Sequence, residues 1–173
     1  MEVYENIKNI LNKLGIPFDE MEHPPVKTCD DSAKYRGEHG WKGIGSKNIL
    51  FHAKAKFYLV VTTAEKEIKA RRFKREFGTK NIRFATPDEV KEITGCEIGA
   101  LPPFGYLNKM LPIYVDEDIF QHEHFMFNPA IHTKSIRIKT EDLKKIYISI
   151  DQPVKFFLIR EGKTEFMDAK SVS

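Results

Sequence analysis

Ile44-Gly45-Ser46-Lys47-Asn48-Ile49-Leu50-Phe51 and Phe57-Tyr58-Leu59-Val60-Val61-Thr62-Thr63 read as two strands joined by the short loop His52-Ala53-Lys54-Ala55-Lys56, an antiparallel hairpin. The second run is continuously aliphatic or aromatic through Val61, as expected of a strand buried on both faces. A sheet covered on two sides needs helices, and the flanking sequence supplies short ones.

Upstream, Val3, Ile7, Ile10, Leu11 and Leu14 recur at helical spacing until Gly15 and Pro17 end the pattern. An extended segment over 18–22 follows, and His23-Pro24-Pro25 leads to a strand or turn near 26–29. Residues 30–45 are polar, with a short helix near 32–35. Downstream, the basic stretch after Thr63 predicts a helix ending at Gly78, and 82–85 a short strand. Thr86-Pro87-Asp88-Glu89 has an N-cap, a proline at the first helical position and acids facing the dipole, so a helix runs to about Gly95. Strands are expected at 112–115, 125–127 and 135–139, with a turn or helix near 118–120. Thr140 caps a brief helix through Leu143, and 154–160 is the last strand before Glu161-Gly162. The fold class is therefore α+β: a mixed, barrel-like sheet with short surrounding helices, as one domain over residues 1–173.

Composition narrows the function classes. An apolar share of 41% with 31% charged residues describes a folded chain. At 173 residues it buries roughly 70% of its unfolded surface without help from disulfides or metal. No run approaches a membrane span, and Met1-Glu2-Val3-Tyr4-Glu5 is not a signal peptide, so the cytoplasm is the expected location. Cys29 and Cys96 stand far apart, outside any paired-ligand spacing. His122-Glu123-His124 lacks a third ligand at a useful distance, so no metal site is expected.

Two segments invite a chemical reading. Gly95-Cys96-Glu97-Ile98-Gly99-Ala100-Leu101-Pro102-Pro103-Phe104-Gly105 is a stiff loop that can aim N–H groups at a developing oxyanion; it equally suits an ordinary turn. Lys47 at the start of a strand faces either a cleft or solvent, one of 28 lysines and arginines. His132 reads as structural or as a cleft wall. In the run Lys66 to Arg75, the cations Lys69, Arg71, Arg72, Lys74 and Arg75 form either a solvated helix face or a footprint for phosphates. Neither a serine-nucleophile elbow nor a dinucleotide or Walker motif occurs.

The order of four segments carries a resemblance: Lys47-Asn48-Ile49-Leu50-Phe51, then Tyr58-Leu59-Val60-Val61, then Gly99 to Gly105, then Phe127-Asn128-Pro129-Ala130-Ile131-His132-Thr133-Lys134-Ser135-Ile136. Together with Glu22-His23-Pro24-Pro25-Val26 they resemble the YbaK-like aminoacyl-tRNA deacylases, including the editing domain of bacterial prolyl-tRNA synthetase. The similarity covers about residues 1–147.

The resemblance implies hydrolysis of a mischarged aminoacyl-tRNA, first of all alanine on tRNA for proline. Serine, threonine and cysteine follow it. Lys47, Gly99 and Ala100 take the catalytic roles. Asn48, Leu101, Pro102, Pro103, Phe104, Gly105, Asn128, Ala130, His132 and Thr133 form the substrate site, and the basic run meets tRNA phosphates. The family's usual glycine is Ala130 here, preceded by Pro129, so the methyl is expected to narrow the pocket or re-aim His132. An activated ester needs oriented water, oxyanion stabilisation and help from the neighbouring ribose hydroxyl, and no cofactor. The partner is the acceptor end of aminoacyl-tRNA, with a synthetase as a second one. The rival is a non-catalytic tRNA- or synthetase-binding module on the same fold.

Overall fold

A computed structural model describes residues 2–171; residues 1, 172 and 173 of the expected domain lie outside them. The elements are α1 (Glu2–Lys13), β1 (Asp19–Glu22), α2 (Cys29–Glu38), β2 (Ile44–Ala53), β3 (Lys56–Thr63), α3 (Lys74–Phe77), β4 (Ile82–Phe84), α4 (Pro87–Thr94), β5 (Ile113–Asp116), β6 (His124–Phe127), β7 (Lys134–Lys139), α5 (Thr140–Ser149), β8 (Val154–Arg160) and β9 (Lys163–Asp168). The strands form one mixed sheet in the order β1-β7-β6-β2-β3-β5-β8-β9, with β4 on β2. The pairs β2–β6, β3–β5 and β5–β8 are parallel and the others antiparallel.

The period-2 alternation of strands divides the core between two faces. Leu59 and Val61 of β3, Ile113 and Val115 of β5 and Phe156 of β8 join Val3, Ile7 and Leu11 of α1 and Leu143, Ile146 and Tyr147 of α5. The intervening Val60, Tyr114 and Phe157 meet Phe51, Phe73 and Phe77 on the other side. That is why 57–61 reads as an unbroken apolar run. Phe73 and Phe77 anchor the basic segment, and its cations are left outside.

β2 is paired along one edge with β3 from Ser46 to Ala53. Its other edge is paired only at the ends, with β6 at Ile44-Gly45 and with β4 from Phe51 to Ala53. The open stretch between them is where the Asn48 side chain meets the loop after α4, as described below.

Several boundaries differ from expectation, each for a local reason. The hairpin ladder continues to Ala53 opposite Lys56, so only Lys54-Ala55 turns, both at positive φ (51° and 61°). Residues 26–29 are no strand. Thr28 caps α2 by accepting from the Asp31 N–H, and Asp30 and Asp31 complement its first turn. α2 is long but polar, burying only Ser32 and Arg36, so it carries no apolar stripe to read. The helix after Thr63 begins only at the 3-10 turn Ala70–Phe73, since Lys66 is drawn to Asp116 (2.7 Å) and Asp118 (2.6 Å) in an extended loop. α5 reaches Ser149. Thr140 is inside it and its hydroxyl bonds the His122 carbonyl instead of capping. β8 is not the last strand: Glu161-Gly162 turns into β9.

Candidate active site

A small cleft of about 110 Å³ opens at the unpaired stretch of β2. Ser46, Lys47 and Asn48 come from β2, Gly99 and Leu101 from the loop after α4, Asn128 from the end of β6, and Lys27, Thr28, Cys29, Ser32 and Arg36 from α2 and its approach. The α2 residues were not anticipated by sequence. Their signal was available: Cys29, Ser32 and Arg36 are spaced by three and four, one face of a helix.

The cleft is polar and partly unsatisfied. The Lys47 ammonium donates one bond to the Lys66 carbonyl (2.9 Å). Asn48 Nδ2 donates to the Leu101 carbonyl (2.7 Å), tying strand to loop, while Asn48 Oδ1 is buried with no partner among the described residues. An orphaned buried acceptor costs about 1–3 kcal/mol unless something donates to it, so this atom marks a position for a ligand hydroxyl, amine or water. Asn128 Oδ1 accepts from Ser32 Oγ (3.1 Å) and Arg36 Nη2 (3.4 Å), and Asn128 Nδ2 donates to the Lys134 carbonyl (2.8 Å).

The glycine-proline loop splits into two parts. Gly99, at φ 89°, lies where an added Cβ would meet the Lys27 carbonyl at 3.3 Å and His132 Cε1 at 3.8 Å. Its N–H has no partner among the described residues. The Ala100 N–H, by contrast, donates to the Glu97 carbonyl (3.1 Å) and closes the turn. Pro102, Pro103, Phe104 and Gly105 are buried away from the cleft lining. Tyr106 and Tyr147 hydroxyls donate to the Pro102 and Pro103 carbonyls, and Asn6 Nδ2 to that of Gly105. Burial pushes the Cys96 thiol up to about 11, and it faces the core.

His132 flanks the site. Its Nδ1 donates to the Val26 carbonyl (2.7 Å), and Nε2 lies 3.4 Å from Glu97 Oε2. The Thr133 carbonyl accepts from the His23 N–H, joining this turn to the chain after β1. Ala130 adopts φ 64°, a left-handed conformation that suits glycine, and its methyl packs in the main core, not in the cleft.

Residues 23–146 match the model of the aminoacyl-tRNA editing domain. The chain belongs to that family. A multifunctional Ser/Thr-tRNA deacylase, ProXp-y, of Escherichia coli (strain K12) is 28% identical over 155 residues, covering 87% of this chain and 89% of that protein. A proline–tRNA ligase of Staphylococcus aureus (strain Newman) is 31% identical over 100 residues, 58% of this chain and 17% of the ligase. The same fold occurs in a crystal structure described, provisionally, as that of a trans-editing enzyme for prolyl tRNA synthetase. Its TM-score is 0.70 at 23% identity, over 89% of this chain and 95% of that one.

In this editing domain the basic segment forms a separate surface. Arg71, Arg72, Lys74 and Arg75 line an open hollow of about 530 Å³ whose far wall is β9 and its turn, with Lys163, Thr164, Glu165 and Phe166. Arg72 Nη1 donates to the Gly162 carbonyl (2.8 Å), fixing that turn. Lys69 sits with Lys66 and Arg72 on an adjoining hollow, and the Lys66 carbonyl is the one that receives Lys47. β9 lies beyond the residues matched by the family model. His122 and Glu123 are exposed, and their carbonyls receive Thr140; no group of three or more His, Cys, Asp or Glu suited to a metal occurs among the described residues. Nor is any helix among them long and apolar enough to cross a membrane.

Proposed function

We propose that this editing domain hydrolyses the ester joining a wrongly attached amino acid to the terminal adenosine of tRNA, in the cleft between β2, α2 and the Gly99 loop. The observation that carries the reading is the convergence of Lys47, Asn48, Gly99 and Asn128 on one polar cleft that holds an unpaired buried acceptor. Lys47, with one proton bonded to Lys66, keeps two for the terminal nucleotide or the ester. Asn48 Oδ1 accepts from the attacking water or the assisting ribose hydroxyl. The Gly99 N–H donates to the carbonyl oxygen as charge develops, and Ala100 holds the turn that aims it. His132 and Thr133 fix one rim. Pro102 to Gly105 set the path of the loop from beneath. The cations from Lys69 to Arg75 receive tRNA phosphates.

The lining also bears on the amino acid. Alanine on tRNA for proline suits a small cleft. The hydroxyl and amide groups of Thr28, Ser32, Ser46, Asn48 and Asn128 favour a side chain with a hydroxyl, and the name of the E. coli relative points the same way, toward serine or threonine. A site that hydrogen-bonds a substrate hydroxyl rejects the analogue lacking it strongly, whereas size alone discriminates by only ~1–3 kcal/mol per methylene. Deacylation rates on tRNAs carrying serine, threonine, alanine and cysteine test this ordering, with serine or threonine expected first. Lys47→Ala is expected to lose on the order of 10²-fold or more in rate. An alanine-only profile overturns the substrate assignment, and a wild-type rate in Lys47→Ala overturns the role of the lysine.

A further inference from the structure

The floor of the cleft carries a cation that the mechanism above does not use. Arg36, on the buried face of α2, is only 4% exposed yet lines the cleft with Lys47, Asn48 and Gly99. A buried arginine is ordinarily matched by a carboxylate. This one makes no ion pair among the described residues, and its partners are neutral: Nε donates to Ser135 Oγ (3.0 Å) and Nη2 to Asn128 Oδ1 (3.4 Å). Nη1 has no partner among those residues, and a Cβ on Gly45 would come within 3.4 Å of it.

The guanidinium is held from several sides. Ser135 Oγ also bonds His23 Nε2 (2.9 Å), whose Nδ1 lies 2.9 Å from the Pro24 carbonyl. Since a carbonyl only accepts, Nδ1 bears the proton, and in the neutral ring Nε2 accepts from Ser135. The His23 ring stacks on Tyr35, the neighbour of Arg36 in α2 (centroids 5.6 Å apart). Burial pushes the Arg36 pKa down to about 10, with Cys29 opposing, so the group stays charged at neutral pH. The result is a rigid, desolvated positive charge with a free donor and no anion to balance it. Fixed charge in a water-poor site acts most strongly on negative charge that appears during reaction.

We infer that Arg36 is a catalytic residue of this editing site, donating to the oxyanion of the tetrahedral intermediate. The inference rests on the deacylase reading above. Water oxygen bonds to the ester carbon, and the carbonyl π pair moves onto oxygen, where Arg36 and the Gly99 N–H meet it. Collapse re-forms C=O and breaks the bond to the ribose oxygen. One water proton goes to that departing oxygen; the other leaves to solvent as the amino acid ionises its carboxyl group.

The test compares wild type with Arg36→Met, neutral and of similar length, on whichever mischarged tRNA the wild type hydrolyses. The expected result is a kcat lower by on the order of 10²–10³, with KM changed by no more than about threefold, the mark of an interaction made only in the transition state. A phosphonate analogue of aminoacyl-adenosine, which presents the tetrahedral anion, is expected to lose affinity by a similar factor. An amide-linked aminoacyl-adenosine is expected to bind as before. A merely structural arginine would move both analogues together, and that result, or an unchanged kcat, overturns the inference. Should Arg36→Met fail to fold, Arg36→Lys decides it: the retained charge predicts a phosphonate preference kept in full or in part with amide-analogue affinity unchanged, and equal losses on both analogues contradict it. Wild type that hydrolyses no mischarged tRNA instead overturns the reading on which the inference rests.

Discussion

At Gly105 the backbone takes φ 100°, and a Cβ built there would overlap Ile7 Cγ1 of α1. The glycine therefore serves close packing of the loop on the first helix, with the Asn6 amide bonded to its carbonyl. Gly105→Ala is expected to destabilise the fold by at least about 2 kcal/mol through overpacking and positive φ. A denaturant titration beside wild type checks this, and an unchanged midpoint would contradict the close packing. Gly99, in the same stretch of sequence, is hemmed instead by the Lys27 carbonyl and His132 at the cleft. Sequence could mark both glycines as unusual, but it could not assign one to the core and the other to the site, because that depends on which element packs against each. Ala130 was legible as a departure from the resemblance. Its left-handed φ shows why glycine suits the position, and its methyl turns into the core. The place of Arg36 on one helix face with Cys29 and Ser32 was legible, but its role was not, since a lone arginine gains meaning only when its neighbours prove neutral.

Among the elements, α4 shows how a readable helix start becomes a pH-sensitive one. Thr86 and Glu89 form a reciprocal capping box, and Arg83 pairs with the Glu89 carboxylate through both oxygens (2.7 and 2.9 Å). Arg83 first, then the Thr86 backbone N–H, hold the Glu89 pKa down to about 2. A depressed carboxylate contributes stability that is complete above its unfolded value of ~4.3 and is lost as pH falls through the folded value. Glu89→Gln is therefore expected to lower the urea midpoint at pH 7. The gap from wild type should close as pH falls from about 4.5 to about 2; a gap that persists at the acid end would contradict the linkage. The hairpin, α1, α4 and the later strands were readable because their signals are local: apolar period, cap residues and turn residues. The full length of α2 (only its middle, 32–35, was expected as helix), the extended loop before Ala70 and β9 were not. α2 lacks an apolar face, Lys66 is drawn off by acids far along the chain, and β9 (Lys163–Asp168) is mostly exposed, so nothing in its composition announces a strand.

For the molecule as a whole, the proposed function rests on two surfaces. One is the cleft at the open edge of β2. The other is the basic hollow between α3 and β9, linked to the cleft through the Lys66 loop. If the hollow receives phosphates, Arg71→Ala, Lys74→Ala and Arg75→Ala together should weaken binding of uncharged tRNA and lower the slope of log K against log salt by about two to three. Hydrolysis of a short aminoacylated acceptor-end mimic should be little affected. An unchanged salt slope would make the hydrophilic face of α3 a solvated surface. In the proposed function the cleft performs ester hydrolysis and does not merely hold tRNA. Its most direct measurement is multiple-turnover release of amino acid from mischarged seryl- or threonyl-tRNA by wild type beside Lys47→Ala. Wild type is expected to complete many turnovers per molecule, and the variant to lose them. Tight binding of the same tRNAs without any release of amino acid would contradict it, and would make this chain a binding module on an editing fold.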